Sequence, residues 1–319
     1  MSILVTGGAG FIGSHVCEAL LARGEAVLCL DSFDDFYPPA VKRRNLAGPL
    51  RHPGFTLAEG DLRDAALLED LFRRHPVGAV VHLAARAGVR PSIRQPALYA
   101  DVNVTGTVRL LEAARRAAVP KFLFASSSSV YGVRKGLPFK ETDEVDAPAS
   151  PYAATKRAGE LLCRTAHTLT GMPITCLRFF TVYGPRQRPE MAIHKFTRLI
   201  ADGEPVPLFG DGSTARDYTY IDDIVAGVLG ALDTCSGFGI YNLGNADPIR
   251  LADLVRLIET ALGKQARIAP APPEPGDVPF TCADVSAAKA AFGYEPRVHI
   301  AEGLRRFVAW YRAQGGSTA

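Results

Sequence analysis

The stretch SILVTGGAGFIG, Ser2 to Gly13, runs from a short β-branched apolar segment through a glycine-spaced turn into the amphipathic segment FIGSHVCEALLARG. This is a strand, a GxxGxxG turn and a helix. Gly7 permits the tight turn, Gly10 lets backbone N–H groups approach a pyrophosphate, and Gly13 lets the helix lie close on the strand, with Phe11 and Ile12 opening the helix beside the same ligand. The next strand, AVLCLD, ends in Asp31, eighteen residues after Gly13. A carboxylate there accepts from both hydroxyls of an adenosine ribose and repels a 2′-phosphate, so the turn is expected to take NAD rather than NADP. A phosphate on Lys42-Arg43-Arg44 would reverse that preference, although such a run more often forms a solvated face. Asp61-Leu62, at the end of the third strand, is placed to meet adenine; the alternative for Asp61 or Asp64 is a helix N-cap.

Outward from that unit, short apolar runs alternate with longer amphipathic ones: FTLAEG then AALLEDLFRRH, AVVHLA, NVTGTVRLLEAARRA, KFLFAS, a helix from Ser150-Pro151 to Gly171, and ITCLRF. Such alternation predicts an α/β fold, a Rossmann-type doubly wound parallel sheet with helices on both faces. After Thr181 proline and glycine rise. The chain therefore divides into a dinucleotide-binding domain over 1–180 and a smaller C-terminal substrate-binding lobe over 181–319, with a segment near 220–245 returning to the sheet. The tail GGSTA is expected to fray.

Composition narrows the partners. The 319 residues carry 36 basic and 33 acidic side chains, a formal charge of +3, too little and too dispersed for nucleic acid or a membrane surface as the main partner. No apolar run reaches membrane-span length and the N-terminus lacks a basic leader, so a cytoplasmic location is expected. Six dispersed cysteines read as reduced thiols, and seven scattered histidines show no metal-ligand spacing.

Tyr152 and Lys156, four apart on one helix, project from one face. An ammonium beside a phenol stabilises phenolate, lowering a pKa that starts at about 10, and Tyr152 then serves as a general base. The serine run SSSSVYG, Ser126 to Gly132, follows strand KFLFAS, at the sheet edge where active sites form.

Together TGGAGFIG, Asp31, HLAA at His82 to Ala85, NVTGT at Asn103, SSSSVYG, PYAATK and RDYTYIDD resemble the extended short-chain dehydrogenase/reductase superfamily, specifically its NAD-dependent nucleotide-sugar epimerases and dehydratases. The resemblance covers nearly the whole chain. It implies cofactor contacts for Leu83, Ala84, Ala85 and Asn103, the base role for Tyr152, a nicotinamide-ribose contact for Lys156 and a hydrogen bond from Ser127 to the reacting hydroxyl. It further implies that Arg216 holds the substrate diphosphate, the alternative being a surface partner for Asp217 or Asp222. Leu208 and Phe209 would wall the uracil, or else simply pack in the core. Asp277 would take a uridine ribose hydroxyl, while Glu274 stands where hexose epimerases often carry a phosphate-binding arginine. A homodimer through paired helices is implied too, with Leu110, Leu111, Leu161 and Leu162 available to it or to the sheet.

All these enzymes oxidise their sugar at C4, and the dehydratases and decarboxylases add carboxylates just before VYG. Here those positions are Ser128 and Ser129. A hydroxyl is too weak an acid to replace a carboxylate at neutral pH, so C4 epimerisation through a 4-keto sugar remains, with no net redox and a firmly held NAD. TVYGPRQRPEMA, beginning at Thr181, resembles the UDP-glucuronate 4-epimerases, whereas many hexose epimerases have Asn at that position. Thr181, Ser128, Ser129 and Arg188 form a donor set suited to a carboxylate, and fixing that group would suppress decarboxylation of the β-keto acid. Arg186 and Arg90 are further anion-binding candidates. The expected reaction interconverts UDP-glucuronate and UDP-galacturonate; UDP-glucose and UDP-galactose are the second choice, and a catalytically silent NAD-binding sensor the third.

Overall fold

The structure is a computed structural model that describes residues 1–134, 136–272 and 278–315. In chain order the central elements are β1 (Ser2–Thr6), α1 (Phe11–Ala22), β2 (Ala26–Asp31), α2 (Pro39–Asn45), β3 (Phe55–Glu59), α3 (Ala65–Arg74), β4 (Val77–His82), α4 (Val89–Arg94), α5 (Pro96–Ala100), α6 (Gly106–Arg116), β5 (Phe122–Ser127), α7 (Pro151–Thr170) and β6 (Ile174–Phe179). Beyond them lie β7 (Thr181–Tyr183), α8 (Ala192–Asp202), β8 (Pro205–Phe209), β9 (Ala215–Tyr220), α9 (Ile221–Thr234), β10 (Phe238–Leu243), β11 (Pro248–Arg250), α10 (Leu251–Leu262), β12 (Arg267–Ala271), α11 (Ser286–Phe292) and α12 (Ile300–Ala313).

Seven strands form a parallel sheet in the order β10-β6-β5-β4-β1-β2-β3. The order reverses between β1 and β4, which puts a crevice at the carboxyl ends of those strands. The strands are apolar on both faces because both are covered. Ile3 and Val5 face a core built with Val16, Leu20 and Ile224, while Leu4 faces the opposite one with Leu68, Leu110 and Phe124. The return to the sheet is made by β10, which pairs with β6; β9 and β11 join β7 in a second sheet, and β8 pairs with β12 in a third.

Helix α7 begins where the sequence supplies a cap and a stiff first turn: the Ser150 hydroxyl accepts from Ala153 N at 3.2 Å, and Pro151 follows. It ends at Gly171, in the left-handed region at φ +73°. The segment before α6 departs from a simple helix, since Asp101–Thr105 forms a π turn. Leu110 and Leu111 are buried against the sheet and Leu162 packs on the same core, so of the four leucines considered for a helix pairing Leu161 alone is exposed, at 52%. Among the described residues no helix is long and apolar enough to cross a membrane.

His82, at the end of β4, is buried between the Thr6 hydroxyl at 2.7 Å and the Thr107 hydroxyl at 2.9 Å, tying β1, β4 and α6 together. Burial pushes its pKa down to about 3, with Lys156 adding to the effect. The imidazole is therefore neutral when folded and protonates near pH 6.5 when unfolded. Below that pH the unfolded chain binds the extra proton, so stability falls with pH from about 6.5 to about 3, by up to about 1.4 kcal/mol per pH unit. Urea unfolding between pH 7 and pH 4 should show a shallower acid loss for His82→Gln than for the natural chain; equal slopes would contradict this role.

Candidate active site

The carboxyl edge of the sheet opens into a cavity of about 400 Å³. Gly7, Gly10, Phe11, Ile12 and Gly13 form one wall. Gly7 stands at φ +70°, and a Cβ on Gly13 would lie 2.2 Å from the Gly7 carbonyl oxygen, so the strand-to-helix turn closes this tightly only without side chains. That leaves bare backbone at a helix N-terminus, a surface fitted to a pyrophosphate. Asp31 sits at the end of β2, its carboxylate accepting from Ala9 N at 3.0 Å and Phe33 N at 2.8 Å. Burial raises its pKa, against those bonds and the nearby Lys42 charge. The same wall continues through Asp61, Leu62, Leu83, Ala84 and Ala85. Asp61 pairs with Arg63 at 2.8 Å, and the bond to Arg63 lowers its pKa; the N-cap duty falls to Asp64, which accepts from Leu67 N at 3.0 Å. The residues of this wall fit a dinucleotide: Asp31 would accept from ribose hydroxyls and the glycine turn would hold the pyrophosphate.

Lys42 departs from the solvated-face reading. It is buried, lines the cavity and donates to the Asp34 carbonyl oxygen at 2.6 Å, because α2 lies along the cavity rim with this side chain turned inward. Arg43 does face solvent, paired with Glu59 at 3.0 Å.

The opposite wall carries Ser127, Ser128, Ser129, Tyr152, Lys156 and Thr181. Ser127 Oγ accepts from Ser129 N and donates to Ser129 Oγ, both at 3.2 Å, and its hydroxyl also acts to hold down the pKa of the Tyr152 phenol. Desolvation raises the Tyr152 pKa, opposed by the Ser127 bond and the charge of Arg188. This corrects the expectation that Lys156 lowers the phenol directly. The Lys156 ammonium is engaged elsewhere, donating to the Ala125 carbonyl oxygen at 2.6 Å over the Phe124 ring, and burial lowers its own pKa to about 8. At neutral pH it still carries its proton. Arg188 lines the cavity from the loop after β7, its Nε bonded to Glu190 at 3.0 Å.

Other candidates lie outside this cavity. Asn103 is buried behind it, bonded to the backbone N and O of Arg86 at 2.8 and 3.0 Å and to the Thr155 hydroxyl at 3.0 Å, so it ties the loop after β4 to α7. Arg186, at φ +66°, turns the other way and pairs with Glu18 of α1 at 2.7 Å. Arg90 stands over the Phe209 ring at 5.3 Å, joining α4 to the end of β8, where Leu208 also lies. Arg216 donates to the Ala215 and Pro279 carbonyl oxygens at 3.0 and 3.3 Å. Asp217 is buried and accepts from Asn245 N, Ala246 N and Ala283 N, while Asp222 bonds Arg306. Asp277 and Glu274 fall outside the described residues, as do the last four of GGSTA.

Beneath the serines lies a group that motif reading passed over. Glu160 takes a two-pronged bond from Arg178 at 2.8 and 2.9 Å and a third from the Ser126 hydroxyl at 2.6 Å, all three residues buried. Spacing could have found it, since Glu160 stands four residues after Lys156 on the same helical face.

An open parallel sheet with a glycine turn at one wall of its crevice and a Ser-Tyr-Lys set at the other defines a dinucleotide-dependent site acting on a hydroxyl or carbonyl. The chain belongs to the NAD dependent epimerase/dehydratase family, whose model matches residues 3–244. It is 46% identical over 337 residues to UDP-glucuronate 4-epimerase 2 of Arabidopsis thaliana, covering 99% of this chain and 77% of that one. Among solved structures it resembles the UDP-glucuronic acid 4-epimerase of Bacillus cereus in complex with UDP-glucuronic acid and NAD, with TM-score 0.93 and 36% identity over 98% of this chain and 100% of the other. The UDP-glucose 4-epimerase of Thermotoga maritima, solved with UDP-glucose, gives TM-score 0.92 and 35% identity over 98% and 99%.

Removing one member of a buried ion pair strands the other. Glu160→Gln is therefore expected to cost about 3–5 kcal/mol in chemical unfolding, and Glu160→Gln with Arg178→Met distinctly less. A double variant as unstable as the sum of its singles would contradict this coupling.

Proposed function

We propose that this chain inverts C4 of UDP-glucuronate to give UDP-galacturonate, through a transient 4-keto sugar and with no net redox. The observation that carries the reading is the distribution of charge around Tyr152. Among the described residues the cavity lining holds three carboxylates, Asp31, Asp34 and Asp61, which come from the end of β2 and the loops after β2 and β3. Around the tyrosine stand hydroxyls, from Ser127, Ser128, Ser129 and Thr181, together with the Arg188 cation, close enough to stabilise phenolate. Elimination at C5 needs a base, and among the described residues this wall holds no carboxylate, whereas an acidic sugar finds donors. The near-equal likeness of fold to a uronate and a glucose epimerase leaves the choice of sugar to these side chains.

In this reading Tyr152 takes the proton of the C4 hydroxyl while Ser127 holds that oxygen, and the same phenol returns the proton once the keto sugar presents its other face. Bound NAD supplies the reversible two-electron acceptor for C4. Lys156, fixed to Ala125, keeps a positive charge at neutral pH beside the place where nicotinamide ribose would lie. Thr181, Ser128, Ser129 and Arg188 hold the C6 carboxylate in the plane of the sugar ring, the orientation that resists loss of carbon dioxide. Arg90, Leu208, Phe209, Arg216 and Asp277 remain our candidates for the uridine diphosphate, with residues 1–180 serving the cofactor and 181–319 mainly the sugar nucleotide. Leu161 and Leu169, exposed on α7 at 52% and 78%, support a homodimer through that helix, and six free cysteines fit a reducing cytoplasmic setting.

Separation of the products formed from each nucleotide sugar tests the proposal. UDP-galacturonate should form from UDP-glucuronate, and comparable turnover of UDP-galactose with none of the uronate would overturn it. Tyr152→Phe should lower kcat by about 10²–10⁴-fold. Arg188→Gln should raise KM for the uronate by about tenfold or more and change it little for a neutral hexose.

A further inference from the structure

The segment after Asp31 carries an aromatic ring into the cavity between the cofactor wall and Arg188. Phe36 lines the cavity, and two guanidinium carbons stand over its ring, Arg86 at 5.3 Å and Arg188 at 5.4 Å. The backbone that carries the ring is held without help from Arg188. Phe33 N bonds Asp31, Phe36 N donates to Asp34 Oδ1 at 2.8 Å, and Asp34 pairs with Arg86. Arg86 is itself tied through its backbone to Asn103 and through Nη2 to Gln95 at 3.3 Å. Phe36 thus presents, from a hydrogen-bonded turn, a ring face on which the Arg188 guanidinium rests.

Chemistry favours a ring in this place. A carboxylate would hold Arg188 as well, but would neutralise it and occupy the N–H groups that a ligand needs. An aromatic face attracts the cation through its quadrupole and leaves both charge and donors available. Glu190 does not remove that availability, since its bond engages Nε and its side chain is 45% exposed and screened by water.

We propose that Phe36 is the positioning residue that holds Arg188 against the cavity wall and so sets the preference for an acidic over a neutral sugar nucleotide, an inference that rests on the function proposed above. Binding and turnover separate the two claims. Calorimetry with UDP-glucuronate and UDP-glucose should show the natural chain favouring the acidic ligand. Phe36→Ala and Phe36→Leu should each weaken that preference by about tenfold, and Phe36→Tyr, which keeps the aromatic face, should retain it within about threefold. In turnover of the uronate the loss should fall more heavily on KM than on kcat, the smaller kcat loss following from the Arg188 charge that acts on the Tyr152 phenol. A natural chain that binds both sugars alike, a Phe36→Ala variant that keeps the preference, or a Phe36→Tyr variant as impaired as Phe36→Ala would overturn the proposal. A preference that responds to Phe36 in a chain that does not epimerise the uronate would instead uphold the positioning role and remove the proposed reaction.

Discussion

The buried ion pair between Glu160 and Arg178 is the contact on which the site's geometry rests. It joins α7 to β6, and the Ser126 hydroxyl brings in β5, so three elements meet at one carboxylate. Tyr152, Lys156 and Glu160 follow one another at four-residue intervals and share a helical face, so anchoring Glu160 anchors the other two. Gly159 removes the remaining slack, because a Cβ there would lie 2.2 Å from the Phe124 ring of β5. Such a pair contributes little net stability relative to a well-packed apolar substitute, and its value lies in allowing one register of helix on sheet. Catalysis by a positioned phenol needs that register, since a displacement of about 1 Å can cost two orders of magnitude in rate.

On this frame the cavity is divided electrically. Among the described residues its carboxylates lie along the wall of the glycine turn, where Asp31 would receive ribose hydroxyls in the proposed reaction, and its hydroxyls and the Arg188 cation lie along the Tyr152 wall. Desolvation works against phenolate at Tyr152, and the local counterweights are a serine hydroxyl and an arginine rather than the lysine four residues away. In the proposed reaction the arginine connects two demands, for the cation that would ease proton removal at C4 is also the one that would meet an acid at C6. Specificity and acid–base chemistry would then lean on one side chain, whose guanidinium rests over the Phe36 ring.

Much of this was legible in the sequence because its signals are local. SILVTGGAGFIG, the strand-end Asp31, the alternation of elements and the YxxxK spacing each encode geometry within a few residues, and the sheet and both cavity walls follow from them. What escaped was settled by packing between distant segments. Arg186 and Arg188 are two apart in one loop, yet one turns toward Glu18 and the other into the cavity, and no spacing rule separates them. Lys42 looked like part of a solvated basic run until α2 placed it on the cavity rim. Asn103 belongs to a motif beside the cofactor wall but acts from behind it, through the backbone of Arg86. Leu110 and Leu111 had two apolar surfaces available, and the sheet took them.

In the proposed reaction a hydroxyl-lined wall around Tyr152 confines chemistry to C4. Turnover of UDP-glucuronate in deuterium oxide, followed by proton NMR of the recovered UDP-galacturonate, tests it most directly. Inversion at C4 is expected with protium retained at both C4 and C5, because the C4 hydrogen never reaches solvent and no carboxylate among the described residues of the Tyr152 wall addresses C5. Deuterium at C5, or release of carbon dioxide in step with turnover, would contradict it.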